Sequence, residues 1–482
     1  MKINRKSVWI WVAAIFVVNL LLKLWYIDAR DVAMDEPFSI WWAQHSLPEI
    51  WQMLKSENNP VLHFFLLHYW IKAFGISALS VRLPSVIFSA MTAGLVFLLT
   101  AKLFSKRTAL FASVFFTLST LQMLFAHEAR VYAIFEFLAL CNVYLVIKTI
   151  EQPTKNELFW WLLLCDILLV YSHYFGWVVV VMQTLWLLLH PERKKLWRST
   201  LTLLVVLMAA YTPNWITFFN RFNASSSGTW VHTPDWTELY GNINRFVNSR
   251  YVSMVIIAIG LIGSGYFLFK NKMKSLIGDL RKNPTLVYLS LWFGCAWVLM
   301  FLVSLKLPVF LDRYLLFLTP VLYIIIAGFF HHLRLPKWLG IFCNTGIAVC
   351  MLIFFQPNPD NHRRVAELTE RIRQMQTKES VVLISPEYAQ LEFAYHYDRN
   401  IFVQYNSTTL RLQQNNIYPV SQLTDVPDSI LNNAGKIIYM DCGTIFALGS
   451  DATLEELKNK YTLTDTSSVY SIYNITTFTS KH

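Results

Sequence analysis

Charge is scarce in this chain. Of 482 residues only 15% are Asp, Glu, Lys or Arg, while 55% are hydrophobic and 16% aromatic. A soluble protein of this length could not hide so much apolar surface, and the apolar residues come in runs of about 20, enough to cross a bilayer. Cysteine is equally sparse: Cys141, Cys165, Cys295, Cys343 and Cys350 fall in apolar stretches and only Cys442 lies outside them. With no CxxC and no ligand spacing, neither a disulfide framework nor a zinc site is implied. No nucleotide loop, GxSxG or HExxH occurs, which weighs against cytosolic-type NTPase or protease chemistry. No internal repeat is visible, in contrast to the paired halves of many transporters. What remains is a polytopic membrane protein. The net charge of +11 would point to nucleic acid in a soluble chain. Here the Lys and Arg residues lie mostly between apolar runs, so they report orientation and no nucleic-acid partner.

A window of about 19 residues places spans near 8–27, 84–104, 108–126, 131–150, 158–175, 176–190, 199–219, 251–270, 285–305, 313–332 and 338–355. The first lacks a small-residue cleavage site and carries Lys23 near its end, so it reads as an uncleaved anchor. The run 60–74 is short and holds His63, His68 and Lys72. If it lies along the interface, every basic cluster falls on one side: Lys2/Arg5/Lys6, Lys102/Lys106/Arg107, Lys148/Lys155, Arg193/Lys194/Lys195/Arg198, Lys270/Lys272/Lys274 with Arg281/Lys282, and Arg334/Lys337. The expectation is therefore about eleven spans, N-terminus inside, and residue 356 onward outside. Residues 1–355 form the spanning domain, with 28–83 a first outer loop carrying interfacial helices.

That topology gathers ionisable residues on the outer side. Asp35 and Glu36 follow the first span, in one outer loop with Asn59 and His63; His127, Glu128, Arg130, Tyr132, His173, Lys306, Asp312, Arg313 and Tyr314 sit in or beside the other outer segments. Such groups at span ends either snorkel singly to the interface or line a polar cavity. Snorkelling is favoured for a single Lys or Arg and less so for His127-Glu128-Ala129-Arg130, with three polar groups in four residues. Two adjacent acids beside an apolar surface are a setting for a general base.

Residues 356–482 change character. They are polar, with a helical pattern at about 360–377 and β-type runs at Val381–Ile384, Lys436–Met440 and Ser468–Tyr473, which reads as a small soluble α/β domain. It holds none of the motif residues, so it is expected to be accessory to the chemical step.

The ordered motifs resemble a known family. They are Asp35-Glu36-Pro37-Phe38-Ser39, the stretch Asn59-Pro60-Val61-Leu62-His63 to Trp70, Val81-Arg82-Leu83-Pro84-Ser85, His127-Glu128-Ala129-Arg130-Val131-Tyr132, Ser172-His173-Tyr174-Phe175 and Asp312-Arg313-Tyr314. This order resembles the polyprenyl-phosphate-sugar-dependent GT-C glycosyltransferases, in particular the protein O-mannosyltransferase-like group (glycosyltransferase family 39). The bacterial aminoarabinose transferase acting on lipid A shares that architecture. The likeness covers residues 1–330. Relatives often carry His-Pro-Pro-Leu where Asn59-Pro60-Val61-Leu62 stands here, and Gln in place of His127.

The resemblance implies a GT-C-like helical membrane protein with a C-terminal soluble α/β domain, acting as an inverting glycosyltransferase in the bacterial cytoplasmic (inner) membrane. The donor is a sugar on a polyprenyl phosphate held among membrane lipids, and the acceptor a glycan, lipid or protein. Asp35 is the first choice of base and Glu36 the second. Arg130 and then Arg313 meet the donor phosphate, with His63 and His173 contributing; Asn59, His127, Glu128, Tyr132, Lys306, Asp312 and Tyr314 complete the candidates. No cofactor or metal is required by this scheme, and a divalent ion between Asp35, Glu36 and a His is left open. Acceptor selection falls to the 220–250 loop (Ser225-Ser226-Ser227-Gly228, Trp230, Trp236) and the terminal domain. Two other classes remain: a transporter or flippase of a lipid-linked glycan, and a membrane-anchored sensor, which leaves the outer-side cluster unexplained.

Overall fold

The computed structural model describes residues 5–55, 57, 60–190, 193–226, 231–270, 284–332, 336–358, 363–470 and 472–480. Asn59, loop residues Ser227, Gly228 and Trp230, and the basic residues Lys2, Lys272, Lys274, Arg281, Lys282 and Arg334 lie outside the described residues. The chain divides into two compact units. One comprises Met1–Ile27, Trp51–His63 and Arg82–Pro359, the other Asp28–Ile50, Phe64–Val81 and Asp360–His482.

The first unit is helical. Among the described residues, six helices are long and apolar enough to cross a membrane: Lys6–Trp25, Ala78–Leu103, Tyr132–Glu151, Arg250–Phe267, Pro284–Ser304 and Asp312–His331. Two further expected spans are bent pairs, bringing the total to up to 8. In the first, Lys106–Thr117 and Thr120–Ala126 meet at 61°, because Ser119 starts the second helix by accepting the Gln122 N–H. In the second, Lys194–Ala210 and Thr212–Ala224 meet at 49°, where Pro213 has no N–H to continue the ladder. The expected spans 158–175, 176–190 and 338–355 are helices of 17, 14 and 17 residues, shorter than a full crossing of about 20. Pro84 lies inside Ala78–Leu103, so the helix begins before the proline where a span start was expected. The Ser80 carbonyl that Pro84 leaves without its helical donor accepts the Trp70 indole N–H at 2.8 Å.

Buried polar groups tie these helices together. Lys23 Nζ donates to Ser89 Oγ at 2.7 Å and lies 4.7 Å from the Phe116 ring centroid. Gln122 donates to Glu136 and, at 2.8 Å, to Thr319. Asn142 donates to Asp166 at 2.7 Å, and Gln183 does so as well. Ionisable groups within a helical bundle persist when partnered in this way. The Gln122–Glu136 bond also locks Thr120–Ala126 to Tyr132–Glu151, the two helices flanking the 127–131 segment.

The second unit holds a five-stranded mixed sheet: β1 (Ser380–Ser385), β2 (Ile417–Pro419), β3 (Lys436–Cys442), β4 (Tyr461–Tyr470) and β5 (Tyr473–Ser480), in the order β2-β1-β3-β5-β4. β1 is parallel to β2 and β3, while β5 is antiparallel to β3 and β4. β1 is buried along its whole length, as a central parallel strand should be. β4 is an edge rich in Thr and Ser, mostly exposed and bulged. The helix expected near 360–377 is Val365–Met375, burying Val365, Leu368, Thr369 and Ile372 on one face. The run Ser468–Tyr473 is no single strand: it crosses from β4 to β5, which pair at Tyr470 and Tyr473.

Candidate active site

In the first unit the motif 127–132 is a non-helical crossing between two helices, and its carbonyls are held by side chains. His127 caps Thr120–Ala126, and its Nε2 bonds to the Lys23 carbonyl at 2.6 Å. Ser85 Oγ donates to the Glu128 carbonyl at 2.6 Å and to that of Arg130 at 3.3 Å. His63 Nε2 lies 3.0 Å from the Ala129 carbonyl. A carbonyl only accepts, so Nε2 carries the proton and is committed to the backbone. His63 therefore shapes the turn that presents Arg130.

Within the first unit, residues of the 172–175 and 312–314 motifs stand near Arg130 and Tyr132. Its guanidinium stands 6.0 Å from the Tyr132 ring centroid, and that of Arg313 5.3 Å from Tyr314. The two tyrosine rings are 6.2 Å apart. His173 lies 5.5 Å from Tyr314 and is stacked on Phe135 at 5.0 Å. The charges of both Arg130 and Arg313 act on His173, and that of Arg130 acts on His63. His173 Nδ1 accepts the Phe175 N–H at 3.2 Å, which leaves the proton of the neutral ring on Nε2. The turn that holds it depends on Gly176, whose N–H bonds to the His173 carbonyl at 2.8 Å. A Cβ there would stand 2.5 Å from the Leu169 carbonyl oxygen, so no side chain fits.

Asp312 Oδ1 accepts the Arg313 N–H at 2.8 Å, and its Oδ2 lies 3.9 Å from Arg245 Nε. Arg245 escaped the sequence reading because it belongs to an ordinary exposed helix face, Trp236–Phe246. Lys306 stands exposed in the turn after Pro284–Ser304. Beside Tyr174 a small cavity is lined by Trp51, Lys55, Pro60 and Asn214, among others. Lys55 is another cation without a sequence signal.

The carboxylates belong to the second unit. Asp35 and Glu36 open the helix Asp35–Ala43. Asp35 is exposed, whereas Glu36 is buried with its Oε2 3.3 Å from Arg363 Nη1. The preceding residues are pinned by the C-terminal segment. Asp31 Oδ2 accepts the Ala366 N–H at 2.8 Å, and the Val32 carbonyl accepts from His396 Nε2 at 2.8 Å. Tyr473 donates to Glu392 at 2.7 Å and stands 3.5 Å from the Met34 sulfur. Burial pushes the Glu392 carboxyl up to about 7. The C-terminal segment thus holds the chain around the carboxylate pair, a part that its lack of motif residues did not foretell. Among the described residues no group of three or more His, Cys, Asp or Glu is arranged to hold a metal ion.

Residues 58–216 match the family model described as Dolichyl-phosphate-mannose-protein mannosyltransferase. The whole chain is similar in structure to ArnT from Cupriavidus metallidurans. At a TM-score of 0.56 and 12% identity, 97% of each chain is covered, both for its apo state and for its complex with undecaprenyl phosphate. The fold is GT-C. Archaeal oligosaccharyltransferase AglB from Archaeoglobus fulgidus is a fainter likeness, with TM-score 0.48, 9% identity and coverage of 96% of this chain and 74% of that chain. No curated protein matches by sequence. In this GT-C chain the family match spans the segment carrying His63, Ser85, Arg130, Tyr132 and His173.

Proposed function

We propose that this protein is an inverting glycosyltransferase, moving a sugar from a polyprenyl phosphate to a glycan, lipid or protein acceptor on the outer side of the cytoplasmic membrane. The observation that carries the reading is the pair of guanidinium groups, Arg130 and Arg313, each beside one tyrosine, Tyr132 or Tyr314, of a row of rings that includes His173. It stands within a GT-C fold whose structural relative ArnT binds undecaprenyl phosphate.

Displacement at the anomeric carbon needs a base for the acceptor and positive charge for the leaving phosphate. Asp35 takes the acceptor hydroxyl proton while that oxygen bonds to the anomeric carbon. The bond from this carbon to the lipid phosphate oxygen breaks, and the phosphate keeps the electron pair. Arg130 and Arg313 meet the phosphate with planar forks that pair two oxygens and never deprotonate. His173 adds its Nε2–H as a neutral donor. Attack from the side opposite the leaving group inverts the centre. Exposure supports Asp35 as the base, while Glu36, buried against Arg363, supports the fold around it. In this reading the N-terminus is inside, and residue 356 onward forms an extracytoplasmic domain attached to the spanning domain 1–355.

Purified protein supplied with a radiolabelled polyprenyl-phosphate sugar and envelope acceptors tests the reading. Covalent transfer with release of polyprenyl phosphate is expected. Passage of the intact labelled lipid across a proteoliposome membrane without transfer would favour a flippase.

A further inference from the structure

Residues 33–36 form a turn closed by the Glu36 N–H on the Ala33 carbonyl at 3.2 Å. Its first central residue is Met34, at φ 59° and ψ −117°. That is the first central position of a type II′ turn, which ordinarily takes glycine because a Cβ is crowded there. A side-chain-bearing residue stays in such a conformation only where its surroundings hold it. The next residue is Asp35, so the direction of its carboxylate depends on this turn.

The hold on Met34 comes from far along the sequence. Glu392, in the helix Gln390–Tyr397, is buried. Tyr473 on β5 donates its hydroxyl to the Glu392 Oε1 at 2.7 Å and lies 3.5 Å from the Met34 sulfur. The Tyr473 hydroxyl therefore joins the buried carboxylate to the central residue of the turn. His396, one turn further along the same helix, fixes the Val32 carbonyl at 2.8 Å.

We propose that Glu392 is a positioning residue for sugar transfer, its carboxylate fixing the Tyr473 hydroxyl against Met34 so that the II′ turn aims Asp35. This rests on the assignment of Asp35 as the base. The groups that act on Glu392 are Tyr473, Arg363, Asp31, Cys442 and Tyr388. Its ionisation near neutrality, pushed there by burial, strengthens the anchor as pH rises through 7, because an ionised acceptor bonds the Tyr473 hydroxyl more strongly than a neutral one.

The test uses the full-length protein as wild type, E392Q, E392A, M34G and M34G/E392A. It reads kcat and donor KM against pH, together with hydrogen exchange of the 33–37 backbone. E392A should lower kcat about tenfold or more, as a displaced catalytic group does, with donor KM little changed and exchange at 33–37 accelerated. E392Q, whose amide oxygen still accepts, should fall between and lose the rise in kcat near pH 7. Glycine adopts the II′ position freely, so the loss from E392A should shrink in the M34G background. Wild-type kcat in E392A, or a loss of kcat with unchanged exchange at 33–37, would overturn the proposal. If the wild type transfers no sugar, the functional reading fails on its own account. Exchange at 33–37 then decides whether Glu392 holds the turn, and unchanged exchange refutes it.

Discussion

Arg363 sets its Nη1 3.3 Å from Glu36 Oε2, with the two side chains only 8% and 1% exposed. The two residues are 327 positions apart in sequence, yet they belong to one compact unit. The second acid of the Asp35–Glu36 pair is thereby a partner of the C-terminal segment.

Removing one member of a buried pair leaves the other charge uncompensated, at a cost of about 3–5 kcal/mol. E36Q and R363M should each lower the melting temperature of the purified protein clearly. The double variant should lose less than the sum, because neither charge is stranded. Additive losses would show that the pair contributes nothing.

Arg130 and Arg313 are expected to act on donor phosphate. R130A and R313A should each weaken polyprenyl-phosphate binding about tenfold or more, in line with a lost charge-assisted contact. R130K should recover only part, since an ammonium cannot reproduce the fork. Equilibrium binding of labelled polyprenyl phosphate is the measurement, and unchanged affinity in both alanine variants would remove the arginines from the donor site.

Stability should depend on pH through Glu392. Its carboxyl is raised from 4.5 to about 7 in the fold, so between these values the folded protein holds a proton that the unfolded chain has released. Stability from this group is full below about 4.5 and is lost as pH rises to about 7, by on the order of 3 kcal/mol. Thermal melts of wild type and E392Q across this window should converge at the acid end in slope and part towards neutrality, with E392Q the flatter. A wild-type curve as flat as that of E392Q would contradict this.

Much of the architecture was legible because its physics is local. Runs of about 20 apolar residues give helices, and Val365, Leu368 and Ile372 recur at helical spacing on Val365–Met375. His63, Arg130, His173 and Arg313 were visible as polar groups at the ends of apolar runs; the structure sets Arg130, Arg313 and His173 along one row of rings and His63 on the Ala129 carbonyl. The breaks within two apolar runs were less so, since a cap at Ser119 or a proline at position 213 scarcely alters an average over a window. Glu392, Tyr473 and Arg363 gave no signal: each is a single polar residue in no motif, and its partner is remote in sequence, 81 positions for Tyr473 and Glu392 and 327 for Arg363 and Glu36. The β4–β5 hairpin hid for another reason. Its outer strand is Thr- and Ser-rich and largely solvent-exposed, so it lacks the apolar alternation by which strands are read.

The basic clusters predict an orientation that fusions can test. A reporter fused after residue 107, 195 or 275 should be cytoplasmic, and one after residue 235 or 400 outside. An external signal at 107 would mean that Val61–Phe74 crosses the membrane and would separate Arg130 from the outer side.

The most direct test is turnover of a polyprenyl-phosphate sugar by D35N beside E36Q. Asn is nearly isosteric with Asp, so D35N should fold, keep donor affinity and lose about 10²-fold or more in kcat, the usual contribution of a general base. E36Q should lose stability while keeping a larger share of kcat in the folded fraction. Near-normal turnover in D35N, with activity abolished in well-folded E36Q, would make Glu36 the base. Near-normal turnover in both would reduce the pair to a polar helix end and contradict the account.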